Sequence, residues 1–156
     1  MVTDRTSALD AWVGLLRGHA SLRRSLSAQL QQEHGLGISE YEALLMLARA
    51  GDEPLRRVDL ADSLGLSPSG VTRLLDGLEA AGLVARQTCA RDARVAYAVL
   101  TGAGRRRLER ASRSHLTAIA GVFEERYSAE EIETLAGLLR RLPGAADADG
   151  AACSAS

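Results

Sequence analysis

The most regular pattern of apolar and polar positions lies in LSPSGVTRLLDGLEAAGLV, which runs from Leu66 to Val84. Its apolar residues recur at intervals of three and four, the spacing of one face of an α-helix. These residues are Val71, Leu74, Leu75 and Leu78. Ser67 is a favourable N-cap, and Pro68 suits the first helical position, because the N–H that proline lacks would have no partner there. The pattern therefore predicts a helix that begins at Pro68 and buries one face.

The opposite face of this predicted helix carries small or hydrogen-bonding side chains. They are Ser69, Gly70, Thr72, Arg73, Asp76 and Gly77. Glycine inside a helix costs about 1 kcal/mol relative to alanine, so two glycines on one face indicate a need for close approach. A helix that lies against DNA has this need, since hydroxyls there meet phosphates and one long donor reaches a base edge. A surface helix of poor propensity would look similar, and that alternative stays open here.

The rest of the chain divides into elements of helical or strand pattern. In chain order the sequence first predicts a helix over 7–33 and a second helix, opened by a capping box of Ser39 and Glu42 and ended by Gly51. A short helix at Val58–Leu64, the helix described above and a β-hairpin made of LVARQT and RVAYAVL follow. The chain then continues in a long helix after Thr101 and a last helix, opened by a capping box of Ser128 and Glu131 and ended by Pro143. The predicted fold class is mainly α with a small β-hairpin.

The length of the first helix bears on the domain organisation. We expect one domain over 1–142, followed by a small and polar segment at 143–156 that is expected to be disordered. A helix over 7–33 would span about 40 Å, and its apolar stripe shifts midway along it. One small lobe cannot cover such a helix, so we expect it to contact two partners.

Composition changes this picture mainly through the distribution of charge. The 156 residues carry a net charge of −1, but between Leu55 and Arg113 eleven arginines stand against six acidic residues. This local balance of +5 indicates an anionic partner. All 19 basic residues are arginine, whose planar fork suits phosphates and guanine edges. Codon usage explains the absence of lysine equally well.

The sequence lacks the signals that are typical of membrane proteins, secreted proteins, metalloproteins and common enzyme classes. The chain has no apolar run of about 18 residues and no signal-peptide pattern, so we expect a cytoplasmic protein without membrane contact. Cys89 and Cys153 form no disulfide framework, and the three histidines have no metal-ligand spacing. There is no phosphate loop with a lysine, and GLSPSG joins two helices, unlike a nucleophile elbow. We expect no catalytic residues, no metal and no cofactor.

A short helix, a turn containing Gly65, a second helix and a hairpin with an arginine-bearing tip together form a winged helix-turn-helix. In this arrangement the sequence resembles the MarR (multiple antibiotic resistance regulator) family of bacterial transcription factors. The resemblance covers about residues 7–142. It is carried by LADSLGLSPSGVTRLLDGLEAAGLV, by RDAR in the wing and by LTGAGR at the start of the long helix.

The resemblance implies a homodimer that binds double-stranded DNA. We expect an inverted-repeat operator, since a two-fold dimer presents two recognition helices, and repression, because a dimer on a promoter blocks polymerase. Residues 7–34 and 102–142 would form the dimerisation helices, and residues 39–100 the winged DNA-binding lobe. The DNA contacts that we predict are Arg56, Ser67, Ser69, Gly70, Thr72, Arg73, Arg91, Asp92 and Arg94. In the wing, Arg94 would enter the minor groove and Asp92 would steady it.

The chain departs from the family pattern at several of these positions. Gly77 and Ala81 stand where family members often have basic residues, which puts some phosphate contacts in doubt. Arg56 stands where family members often have a serine or threonine cap. Two interpretations of Arg56 stay open, a phosphate contact and an exposed charge without a role.

Family members commonly bind small aromatic acids or phenols, which implies an effector site on the first helix. Trp12, His19 and Arg23 share one face there and could stack on a ring, bond a hydroxyl and pair with a carboxylate. Core packing for Trp12, a dimer interface for His19 and solvent exposure for Arg23 are the alternatives.

Other features leave further alternatives open. Cys89, between two arginines, could act as a redox switch in a regulator of the same fold, or be an ordinary strand-end residue. The run Arg105–Arg107 could contact phosphates, form ion pairs between subunits or face solvent. A winged-helix module that binds protein is the remaining alternative to DNA binding, and the local excess of arginine argues against it.

Overall fold

The computed structural model describes residues 5–51, 54–88 and 96–143. Within these ranges the chain forms six α-helices and three β-strands. They are α1 (Arg5–His34), α2 (Ile38–Arg49), β1 (Leu55–Arg56), α3 (Arg57–Leu64), α4 (Pro68–Ala80), β2 (Val84–Thr88), β3 (Ala96–Leu100), α5 (Gly102–Glu124) and α6 (Ala129–Leu139). The predicted fold, mainly α with a β-hairpin, is confirmed.

Helix α4 begins as the sequence predicts. The Ser67 hydroxyl accepts a hydrogen bond from the Gly70 N–H at 3.1 Å, and Pro68 occupies the first turn. Gly65, in the turn before it, has φ of +62°, a conformation that glycine adopts without strain. The predicted apolar face lies in the core, with Val71, Leu75 and Leu78 buried and Leu74 partly buried.

Helix α2 begins two residues earlier than predicted. Its N-cap is Gly37, whose N–H donates to the Glu40 carboxylate at 2.7 Å. The prediction of a capping box made of Ser39 and Glu42 is therefore wrong. Both side chains are instead held by a residue of α1, Arg23.

The sheet contains one strand more than the predicted hairpin. Its three strands are antiparallel in the order β1-β3-β2, with Leu55 opposite Ala98 and Val84 opposite Leu100. Strand β1 has only two residues, too few for an alternating pattern, so the sequence gives no signal for it.

The start of α5 packs closely against the start of β2. A Cβ on Gly104 would lie 2.1 Å from the carbonyl oxygen of Leu83, so only glycine fits there. The Thr101 hydroxyl accepts from the Gly104 N–H at 3.0 Å and donates to the Gly82 carbonyl at 2.7 Å. Through these contacts the residues between α4 and β2 are fixed to the first turn of α5.

The chain divides within α5 into two compact units, the first ending at His115 and the second beginning at Leu116. The core of the first unit is mainly aliphatic, in keeping with an aromatic content of 3%. Its largest fully buried side chains are Leu30, Leu36, Leu44, Leu47, Leu60 and Leu78. Of the line Leu108, Ala111, His115, Ile119 and Val122, which helical spacing predicts to face inward on α5, the first three are buried and the last two partly buried.

In the second unit, the predicted capping box of Ser128 and Glu131 opens α6, with the Ser128 N–H donating to the Glu131 carboxylate at 2.8 Å. No residue of α6 is buried within the part of the chain that the structure describes. None of the described helices combines the length and the apolar character needed to span a membrane.

Candidate nucleic-acid interface

The first turns of α4 present hydrogen-bonding groups to solvent. Ser67 and Ser69 are exposed, with their hydroxyl oxygens 3.2 Å apart, and Gly70 beside them is half-buried. Arg73 is exposed, and its guanidinium has no partner among the described residues. Because helix N-termini carry free N–H groups and positive dipole, this end of α4 favours an anion.

The Thr72 hydroxyl on the same turns is already engaged. It donates to the Pro68 carbonyl at 2.7 Å, and it accepts a hydrogen bond from Arg57 at the start of α3. Its single proton is therefore bound within the helix, and Arg57 lies against α4. The sequence did not single out Arg57, because the contact joins residues 15 positions apart.

Arg56 lies at the N-cap of α3, where its side chain makes no capping bond. Its guanidinium instead binds the Asp59 carboxylate through two hydrogen bonds of 3.0 Å. The hydrogen bonds from Arg56 lower the pKa of Asp59, and the same pairing raises the pKa of Arg56. Any phosphate contact by Arg56 would have to compete with, or be shared with, this carboxylate.

Arg86 on β2 reaches across to α4 and binds two of its carboxylates. Its NH2 group lies 2.6 Å from Oδ1 of Asp76 and 2.9 Å from Oε2 of Glu79. All three side chains are about half exposed. The sequence places Asp76 on the polar face of the predicted helix but gives no signal for its pairing with Arg86, which is ten positions away.

The wing residues that the resemblance implies, Arg91, Asp92 and Arg94, lie outside the described residues, as does Cys89. Cys153 and all but the first position of segment 143–156 also lie outside them. Of the arginine run that opens α5, Arg105 and Arg106 are exposed, and Arg107 donates to the carbonyl of His34.

Two clefts of the first unit meet at His19 and Arg23 of α1. One has a volume of about 630 Å³ and is lined by residues of α1 together with Ile38. The other, of about 580 Å³, is also lined by residues of α2 and by the segment 63–66 that leads into α4. Trp12, predicted to share this site, is 57% exposed and lines neither cleft.

Arg23 is held between the two clefts by a carboxylate of the chain itself. Its guanidinium binds Glu42 in a two-pronged geometry at 2.8 and 3.1 Å and lies 3.2 Å from the Ser39 hydroxyl. The hydrogen bond to Glu42 is the main reason that the pKa of Arg23 is raised. Each side chain of the pair is about one-third exposed. Arg23, which the sequence predicts to bind the carboxylate of a ligand, therefore already binds the carboxylate of Glu42.

His115 is buried in a polar network of the first unit. Its Nδ1 lies 3.3 Å from Oε1 of Gln29, and its ring packs on that of Tyr41 with 4.8 Å between centroids. Gln29 donates to Ser114, whose hydroxyl lies 2.6 Å from Nε2 of His34. Burial lowers the pKa of His115, and the charge of Glu42 raises it by a smaller amount. In the described ranges no three His, Cys, Asp or Glu side chains form a group that could hold a metal ion.

Comparison with known proteins gives a family for this arrangement. Residues 34–95 match the model of the MarR family. YkoM of Bacillus subtilis, described as an uncharacterized HTH-type transcriptional regulator, is 31% identical over 110 residues, which span 70% of each chain. The chain belongs to the MarR family.

Two further matches extend the MarR-family likeness over nearly the whole chain. The HTH-type transcriptional regulator MhqR of Bacillus subtilis is 27% identical over 135 residues, covering 86% of this chain and 90% of that one. Sco3205, a MarR family transcriptional regulator from Streptomyces coelicolor solved in complex with DNA, is 26% identical with a TM-score of 0.76. That match covers 90% of this chain and 88% of the other. As a MarR-family member the chain is a transcriptional regulator and not an enzyme.

Proposed function

We propose that the protein is a homodimeric repressor that binds an inverted-repeat operator and is released from it by a small aromatic acid or phenol. The observation that carries the DNA-binding part is Arg73, whose exposed guanidinium has no partner in the described ranges and lies beside two serine hydroxyls at the start of α4. Arginine in this position reaches a guanine edge, and the serines meet phosphates. The presence of DNA in the Sco3205 structure supports the same assignment.

The proposed dimer rests on apolar side chains that the chain leaves uncovered. In α1, Leu9, Trp12, Leu15 and Leu16 are all exposed. In the second unit, Leu116, Tyr127, Leu138 and Leu142 are exposed. Neighbouring apolar side chains of this size are typical of a surface that another protein covers. A two-fold dimer presents two α4 helices, so its site should be an inverted repeat with half-sites about one helical turn apart.

The operator proposal is tested by selecting binding sites from random DNA and then measuring affinities on single-base variants. Arg73→Ala should cost about 1–3 kcal/mol on the selected site and relax the preference at one base pair per half-site. Arg5→Ala, which removes the same charge from the exposed start of α1, serves as the control. Selection of an unrepeated site, or equal weakening by Arg73→Ala on all sequences, would contradict the proposal.

The proposed effector site is the pair of clefts at His19 and Arg23. A ligand carboxylate that binds Arg23 there must displace or share the Glu42 carboxylate. One of the clefts is bounded by residues 63–66, directly before the N-cap Ser67 of α4. A ligand in this cleft therefore adjoins the segment that orients the proposed DNA-binding helix. Ring stacking on Trp12 stays a prediction, two helical turns before His19.

Replacing Glu42 tests this effector site. In Glu42→Gln the guanidinium of Arg23 loses its carboxylate partner, so 4-hydroxybenzoate should bind about twofold to fivefold more tightly, the range expected for a partly exposed ion pair. Phenol, which lacks a carboxylate, should bind both proteins equally. Binding is measured as the ligand concentration that halves operator binding. Equal responses of wild type and variant to 4-hydroxybenzoate would remove Arg23 from the proposed site.

A further inference from the structure

The connection between α4 and the β2–β3 hairpin has one fixed point in the backbone. After α4, Gly82 has φ of +71°, and the Leu83 N–H donates to the Leu78 carbonyl at 2.9 Å. The Leu83 carbonyl accepts from the Thr101 N–H at 3.1 Å. These bonds hold the start of β2 close to the end of α4, but they all lie at that end. Beyond that end, β2 is held through its pairing with β3, so its position relative to α4 depends on packing and on side-chain contacts.

Arg86 supplies a second attachment, farther along the strand. It lies three residues after Leu83, about 10 Å along an extended strand. From there it binds Asp76 and Glu79, which lie one turn apart on α4, at 2.6 and 2.9 Å. Asp76 follows Arg73 by three positions and so lies on the same side of the helix. The ion-pair cluster of Arg86, Asp76 and Glu79, which we call the clamp, therefore joins the hairpin to the side of α4 that carries Arg73.

We propose that Arg86 is a positioning residue for DNA recognition, which sets the angle between α4 and the β2–β3 hairpin by binding Asp76 and Glu79. The proposal rests on the proposed DNA-binding role of α4. Partly exposed ion pairs shift an equilibrium by only a few-fold, so the clamp biases the relative orientation of α4 and the hairpin and leaves the fold unchanged. With the clamp intact, the orientation that fits the operator is the more populated one. Without it, that orientation is less populated, while contacts to any DNA persist.

This role differs measurably from a phosphate contact by the same arginine. A phosphate contact contributes to every sequence alike, and its loss lowers the slope of log affinity against log salt by about 0.9. A positioning residue affects the ratio of operator affinity to affinity for unrelated DNA, with the slope unchanged. The ratio is also insensitive to uniform changes of charge, so variants that remove the acidic partners can be compared with variants that remove the arginine.

The experiment measures both quantities for the full-length chain on its selected operator and on unrelated DNA. Arg86→Gln should lower the affinity ratio about threefold to fivefold and leave the salt slope unchanged, the effect of one partly exposed ion-pair cluster. The double variant Asp76→Asn/Glu79→Gln should lower the ratio equally, and combining all three changes should lower it no further. Arg86→Lys keeps the charge, but its ammonium lies closer to the backbone than the NH2 group that contacts both carboxylates, so this variant should fall between wild type and Arg86→Gln. Arg5→Gln, at the exposed start of α1, is the control for loss of one charge.

Each alternative outcome overturns the inference. If Arg86→Gln leaves the affinity ratio unchanged but lowers the salt slope, Arg86 is a phosphate contact. If neither the ratio nor the slope changes, the cluster has no role in DNA binding. Additive losses would mean that Arg86 acts through other partners. If Arg86→Gln fails to fold, the double acidic variant decides alone, since the clamp is absent from it too. Failure of the wild type to select an operator would instead remove the proposed DNA-binding function and leave no ratio to measure.

Discussion

Helix α4 and the N-terminal half of α1 both carry an apolar face, but only one of the two faces is covered by the chain. In α4, Val71 and Leu78 are 2% and 1% exposed. In α1, Leu9 and Leu16 are 59% and 48% exposed. The apolar side of α4 packs in the core of its own chain, which leaves its polar side available to a partner. The apolar side of α1 is exposed, which is the physical basis for proposing that a second copy of the chain covers it.

The largest expected effect comes from the same substitution made on both faces. Leu78→Ala opens a cavity in the core and should lower the free energy of unfolding by about 2–5 kcal/mol. Leu16→Ala removes a side chain that is half exposed in the single chain, so it should change the stability of the separated chain by about 0.5 kcal/mol or less. Its effect should appear instead as a raised dimer dissociation constant. Urea denaturation and sedimentation equilibrium at several protein concentrations measure the two effects.

Two results would break the comparison between α4 and α1. A wild-type protein that remains monomeric at micromolar concentration would remove the proposed dimer. A Leu16→Ala protein with an unchanged dimer dissociation constant would place the interface elsewhere. Equal losses of stability in Leu16→Ala and Leu78→Ala, independent of concentration, would mean that α1 is covered by its own chain.

The sequence predicted those features whose causes lie within a few residues of each other. The starts of α4 and α6 follow from Ser67 and Ser128, each of which caps a group three residues ahead. The apolar face of α4 follows from helical spacing alone. Family resemblance then supplied the functional class and pointed to the exposed Arg73.

What the sequence did not predict depends on partners distant along the chain. Ser39 and Glu42 have the spacing of a capping box, but Arg23 binds both from 16 and 19 residues away, and Glu40 caps the helix instead. Strand β1 exists only because β3 pairs with it. The clamp of Arg86 likewise joins two elements, since Asp76 lies ten positions before it on α4. Opposite charges were visible in the sequence, but their pairing was not.

The smallest expected effect sharpens the comparison within α1 itself, because the C-terminal part of this helix is covered by the chain. Leu30 is fully buried there, and Gln29 contacts the buried His115. The groups packed around the His115 ring are Gln29 from α1 and Tyr41 from α2, with the charge of Glu42 acting from farther away.

Because burial lowers the pKa of His115 below its ordinary 6.5, the unfolded chain takes up a proton on this residue before the folded chain does. Stability should therefore fall as the pH drops through about 6.5 and level off below the folded pKa, by about 1.4 kcal/mol for each unit of lowering. In His115→Gln, which keeps a polar side chain beside Gln29, this part of the pH dependence should vanish. His19→Gln, at an exposed position of α1, should retain it. Thermal unfolding between pH 5 and 8 makes the measurement, and identical pH profiles for wild type and His115→Gln would show that His115 is not desolvated in the folded protein.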